Sequence, residues 1–143
     1  MLYNRGMIKN GKELVIMDMD GLMADTEKHY NAAMDEFLES YGIRAGAAER
    51  IKWVGTGPYE NMARVKKDHH LKDDPVEMLV RRGKIYVRMV RENRLYVMSG
   101  FKPALAALKR NKMKTAVGTS SPAELVKLVL NKIFRQEDIA ARP

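Results

Sequence analysis

The sequence predicts an α/β fold: a Rossmann-like core with a parallel sheet, interrupted after its first strand by an α-helical insertion. Three observations carry this. Leu14-Val15-Ile16-Met17 is a short unbroken apolar run, the pattern of a strand buried in a parallel sheet. Lys114 to Val117 is a second such strand, ended by Gly118. Between them the apolar period changes to three and four, which is helical.

The elements follow in order. Asp18-Met19-Asp20-Gly21 cannot continue an apolar strand and ends the first one. From Thr26 to about Tyr41, the residues Tyr30, Ala33, Met34, Phe37, Leu38 and Tyr41 mark one helix face, and Gly42 stops the helix. Gly55-Thr56-Gly57-Pro58 is a loop. Helices are expected over 59–71 and over 75–92, the second opening at Pro75. Residues 99–103 read as a loop leading into a helix from Ala104 to Lys112, and Ser121 begins the last clear helix.

Composition narrows the function classes. With 143 residues the chain can bury a core of its own, and having no cysteine it has neither disulfides nor thiolate metal sites. No stretch approaches the roughly 18 apolar residues of a membrane span, and the first residues lack the apolar core of a secretory signal, so a soluble cytoplasmic protein is expected. The net charge of +8 is uneven. Residues 1–49 hold 5 basic and 9 acidic side chains, whereas residues 50–114 hold 17 and 6. A basic middle attracts anions. Nucleic acid, acidic lipid and phosphorylated small molecules all fit that description and charge alone does not choose among them, although aromatic residues are too thinly interleaved there for a single-strand nucleic-acid binder.

Asp18 and Asp20 are the first chemical signal. At the carboxyl end of a parallel strand they converge on the crevice where α/β ligands bind. Like charges so close call for a cation or a shared proton. Mg²⁺ suits them, since it takes one or two carboxylates with waters and phosphate oxygens. A calcium loop is excluded, because the sixth and twelfth positions counted from Asp18 are Met23 and His29, where Gly and Glu are required. Alone, Asp-x-Asp-Gly makes only a polar exit from a strand.

The second signal is Gly118-Thr119-Ser120-Ser121-Pro122-Ala123-Glu124. Ser121 and Glu124 have the spacing of a capping box, with Pro122 at the first helical position. Thr119 and Ser120 then lie between a strand end and a helix N-terminus, where backbone N–H groups favour an anion. A plain capped helix shows the same pattern.

Residues 15–27, Val-Ile-Met-Asp-Met-Asp-Gly-Leu-Met-Ala-Asp-Thr-Glu, resemble the first motif of the haloacid dehalogenase superfamily, in its β-phosphoglucomutase and phosphatase branch with a helical cap. The resemblance implies Asp18 as the nucleophile that takes the phosphoryl group and Asp20 as general acid and then base. It implies Mg²⁺ on the Asp18 carboxylate and the Asp20 carbonyl, Asp25 and Thr26 at the hinge, and Thr119 as the second-motif residue on the transferring phosphoryl group. Ser120 and Ser121 are further phosphate ligands on this reading.

The resemblance also divides the chain: core over 1–23, helical cap over 24–95, core again over 96–143. Gly55 and Thr56 match a cap loop that inspects substrate. Arg81, Lys84, Arg88 and Arg91 share one helix face, a solvated stripe, and Arg82 beside it is expected to draw in an anionic substrate. Pro58 and Tyr30 stand where β-phosphoglucomutases carry Arg and His, so a Mg²⁺-dependent phosphatase is expected ahead of a phosphosugar mutase, with a non-catalytic binding fragment as the alternative from another class. His69-His70 reads as a charged loop.

The superfamily's third motif, Lys before Pro, and its fourth, an acidic pair, have no counterpart in these residues. Arg142-Pro143 is the one echo of the third. A core with two visible strands leaves sheet edges unpaired, so a chain of only this length is expected to self-associate.

Overall fold

Residues 14–134 are described by a computed structural model. They form two strands and six helices: β1 (Leu14–Met17), α1 (Glu27–Glu39), α2 (Ala47–Ile51), α3 (Pro58–Asp68), α4 (Pro75–Glu92), α5 (Phe101–Arg110), β2 (Lys114–Val117) and α6 (Ala123–Phe134). The chain divides into two compact units. One holds 14–26 and 94–134, and the other is Glu27–Asn93. Arg142-Pro143 lies outside the described residues.

The first unit is built on a parallel pair, β1 with β2, in the register Leu14↔Lys114 to Met17↔Val117. The ladder continues one step, as the Gly118 N–H donates to the Met17 carbonyl at 2.9 Å. Gly118 is required there, since a Cβ would lie 2.8 Å from Ile16 Cγ2. Beyond β1 the chain closes a turn on itself. The N–H groups of Met23 and Ala24 both donate to the Met19 carbonyl, at 3.0 and 3.2 Å, and Gly21 N–H donates to the Ala24 carbonyl at 2.9 Å. Met19 and Met23 anchor this turn in the core. Residues 23–25 also run antiparallel to 96–98: Asp25 N–H donates to the Tyr96 carbonyl at 2.8 Å and Met98 N–H to the Met23 carbonyl at 3.1 Å.

Two expectations are corrected here. The strands are not buried among the described residues, where Leu14 is 54% and Ile16 66% exposed, because the described sheet has two strands only. Helix α5 starts at Phe101, three residues earlier than expected. Gly100, left-handed at φ 87°, turns the chain into it, and Pro103 falls within the first turn, where a missing N–H costs nothing. The short α2, too brief to show a period, was not anticipated.

The second unit is all-helical. Met34, Phe37 and Leu38 of α1 pack with Met62 and Val65 of α3 and Met78 of α4 into one apolar cluster. The Met78, Arg82, Tyr86 and Val90 positions of α4 form its buried face, and Arg81, Lys84, Arg88 and Arg91 lie exposed. Arg88 and Arg81 hold acidic neighbours. Arg88 Nη2 donates to both Glu36 oxygens at 2.6 Å. Arg81 Nη1 donates to Tyr41 Oη at 2.8 Å and Asp73 Oδ2 at 3.0 Å, and the Tyr41 hydroxyl donates to Asp73.

Burial, and next the bond to Asp73, push the Tyr41 phenol above its ordinary 10.0, against the opposing charge of Arg81. The folded state therefore holds this proton more tightly than the unfolded chain. The Tyr41 contribution is fully present below the ordinary phenol value and is lost as pH rises through the raised one. Comparing unfolding in urea at about pH 9 and about pH 11, wild type should lose more stability than Tyr41→Phe. Equal losses would remove Tyr41 from the alkaline limb.

Candidate active site

The parallel register fixes where the chemistry-bearing residues emerge. Both strands end at the same edge of the sheet, so Asp18 leaves β1 beside Gly118 leaving β2. Past the strand, side chains still alternate. Asp18 is exposed, Met19 is wholly buried and Asp20 is half-buried. Asp18 Oδ1 accepts the Met19 N–H at 2.8 Å.

Asp20 is the centre of a polar network. Its Oδ1 accepts from the Thr26 hydroxyl at 2.7 Å. Its Oδ2 accepts from the Ser121 hydroxyl at 2.8 Å and from the Thr119 hydroxyl at 3.3 Å. Thr119 Oγ1 also accepts the Ser121 N–H at 3.1 Å, which bends the 119–121 turn around that oxygen. Ser120 is exposed on the same turn. The structure thus brings together Asp20, Thr119 and Ser121, with Asp18 and Ser120 at the same strand ends.

Two details differ from expectation. The spacing of Ser121 and Glu124 predicts a helix cap, whereas the Ser121 hydroxyl donates to Asp20. Helix α6 starts at Ala123, with the Val126 N–H donating to the Pro122 carbonyl. Thr26 was placed at a hinge only. It is 2% exposed and bonds Asp20 across the Gly21 turn. That contact depends on how the six-residue turn closes, and no periodicity in the sequence announces it.

The donor set bears on a metal. Asp18, Asp20 and the neighbouring hydroxyls offer oxygen only, and no group of three His, Cys, Asp or Glu placed to hold an ion is found among the described residues. One or two carboxylates with room for water and phosphate fit Mg²⁺, which sheds its waters reluctantly.

The remaining expected residues, Gly55, Thr56 and Arg82, belong to the helical unit. Gly55 takes a left-handed turn at φ 75°. Thr56 Oγ1 donates to the Trp53 carbonyl at 2.9 Å, which ties the loop to itself, and the buried Asn61 Nδ2 reaches the same carbonyl at 3.4 Å. Gly57 precedes α3 and lets Glu60 fold back over it, where a Cβ would collide with the carboxylate. Arg82 is 5% exposed, its guanidinium carbon 4.3 Å from the Tyr30 ring centroid. Its Nε and Nη1 are buried without hydrogen-bond partners. His69 Nε2 lies 2.7 Å from Glu49 Oε1, an ion-pair geometry, and no metal-holding cluster is found around it among the described residues.

Residues 15–138 match the family model described as haloacid dehalogenase-like hydrolase. The chain belongs to this family. Among curated relatives, it is 30% identical over 115 residues to the Drosophila melanogaster protein named "Probable pseudouridine-5'-phosphatase", covering 79% of this chain and 48% of that one. It is 28% identical over 131 residues to the phosphorylated carbohydrates phosphatase of Thermotoga maritima, covering 85% of this chain and 58% of that one. The chain thus spans about half the length of these relatives. In fold it is similar to CbbY from Rhodobacter sphaeroides, whose crystal structure is a complex with phosphate: TM-score 0.70, 23% identity, 92% of this chain and 64% of that one. These similarities place it among α/β proteins of the haloacid dehalogenase type. No described helix is long and apolar enough to cross a membrane.

Thr26→Val keeps the shape of the side chain and removes the bond to Asp20. A buried hydrogen bond to a carboxylate lost in this way should lower stability by about 1.5–3 kcal/mol. Urea unfolding followed by circular dichroism measures it, and an unchanged midpoint would show that Asp20 does not depend on Thr26.

Proposed function

We propose that this chain carries the nucleophile-bearing part of a Mg²⁺-dependent phosphatase acting on a small phosphorylated metabolite through an aspartyl-phosphate. One observation supports it above the rest: Asp18 and Asp20 leave β1 beside the Thr119–Ser121 turn leaving β2, with Asp20 hydrogen-bonded to that turn. The names of the relatives, one a phosphorylated carbohydrates phosphatase and one a "Probable pseudouridine-5'-phosphatase", support the substrate class.

On this reading an Asp18 carboxylate oxygen attacks phosphorus while the bond from phosphorus to the substrate alkoxide oxygen breaks. Asp20 gives that oxygen its proton. Water then attacks the phosphorus of the aspartyl-phosphate, Asp20 takes a proton from it, and the bond to Asp18 breaks to release phosphate. The Thr119 hydroxyl donates to a phosphoryl oxygen, and Ser120 and Ser121 flank it at the start of α6. The Asp18 carboxylate and the Asp20 carbonyl would hold Mg²⁺, which would supply positive charge against the phosphoryl oxygens. Residues 24–95 serve as the helical cap on this reading, with Gly55 and Thr56 in its substrate loop and Arg82 offering two buried N–H groups to an anion. Pro58 and Tyr30, in place of the Arg and His of a mutase, favour hydrolysis over transfer.

The nucleophile is tested with a small activated donor, such as acetyl phosphate, and Mg²⁺. Intact mass should show one added phosphoryl group on wild type and none on Asp18→Asn. Asp20→Asn should keep the label longer, because attack of water on the phosphorus of the aspartyl-phosphate lacks its base. Removing Mg²⁺ with a chelator should abolish labelling. Labelling of Asp18→Asn to the wild-type level would contradict the assignment.

A further inference from the structure

The three hydroxyls around Asp20 have one proton each, and each gives it to that carboxylate. A phosphate oxygen cannot receive the Thr119 or Ser121 proton while Asp20 Oδ2 holds it. The two oxygens of Asp20 differ in this respect. Oδ1 is held by Thr26, which is 2% exposed, whereas Oδ2 is held by Thr119 and Ser121, which are only partly buried. One oxygen is anchored and the other rests on donors that an anion can reach.

We infer that Asp20 occupies the phosphate donors of its own site, and that an incoming phosphoryl group displaces Asp20 Oδ2 from Ser121 and Thr119. Ser121 is then a positioning residue with two states, bonded to Asp20 when the site holds no anion and to a phosphate oxygen when it does. The consequence is an order of events. Asp20 becomes available for proton transfer only once an anion has taken the Thr119 and Ser121 protons, while Thr26 keeps its other oxygen in place. The chemistry is ordinary competition between two oxyanions for charge-assisted hydrogen bonds. The inference rests on the proposed role of Thr119 as a phosphate donor, and the test separates the two.

Inorganic phosphate is titrated calorimetrically into the protein at neutral pH, with wild type, Asp20→Asn, Asp20→Ala and Thr119→Ala, and with each Asp20 variant also carrying Ser121→Ala. Asp20→Asn and Asp20→Ala remove the same charge, but only the alanine frees the hydroxyls. Phosphate should therefore bind Asp20→Ala about tenfold more tightly than Asp20→Asn, the scale of one regained charge-assisted hydrogen bond. In the Ser121→Ala background that difference should shrink to a small residue, a coupling that a purely electrostatic effect would not produce. Thr119→Ala with unweakened phosphate binding would overturn the phosphate-site reading itself. Weakened binding in Thr119→Ala, with equal affinities for the two Asp20 variants or a gain indifferent to Ser121, would overturn the competition alone. Should Asp20→Ala fail to fold, the carboxyl carbon resonance of Asp20 in wild type decides. It should move as phosphate saturates and Oδ2 loses its donors, and a stationary resonance, or no phosphate binding by any folded form, would overturn the inference.

Discussion

The site depends on one constraint, the parallel pairing of β1 with β2. Antiparallel strands would carry their following residues to opposite edges. Here Met17 and Val117 face each other in register, and the residues after both strands emerge together. Some hundred residues of sequence separate Asp20 from Ser121, yet their side chains are bonded at 2.8 Å. Pairing at that separation is entropically costly to close, and the close approach at Gly118 helps to admit it. The buried methionines of the Met19–Met23 turn then decide which carboxylates face outward. Met19 inside forces Asp18 and Asp20 to the other side of the chain.

The helical unit obeys a different logic. Its fold is the packing of apolar stripes on α1, α3 and α4, and its polar side chains are arranged around that packing. Arg82 sits at the i+4 step from Met78 on the buried face of α4 and lays its guanidinium over the Tyr30 ring. A buried guanidinium with N–H groups lacking partners is costly in a purely structural role. The exposed Arg81 and Arg88 of the same helix are engaged with Asp73 and Tyr41 and with Glu36, bonds that at such exposure contribute little.

Much of the fold was legible in the sequence. The two apolar runs gave both strands at their observed bounds, and the helical spacing gave α1, α3 and α4 to within a few residues. Where the reading departed, local stereochemistry decided. Gly100 in the left-handed region starts α5 early, and five residues suffice for α2 without any visible period. Burial of the strands could not be read from apolar content, because it depends on neighbouring strands. At the candidate site, residue types pointed to Asp18, Asp20 and the 119–121 turn. The bonds among them were not readable. Ser121 fits a helix cap as well as it fits a carboxylate partner, and Thr26 reaches Asp20 only through the closed turn at Gly21.

On the proposed function the two strand ends form an anion site suited to phosphoryl transfer, and the basic stripe of α4 is a solvated face. The most direct measurement is the backbone amide spectrum during a phosphate titration in the presence of Mg²⁺. The account predicts the largest, saturable shifts at Thr119, Ser120 and Ser121, with accompanying shifts at Met19 and Asp20. Saturable shifts confined to the α4 residues around Arg81 to Arg91, with residues 119–121 unmoved, would contradict it.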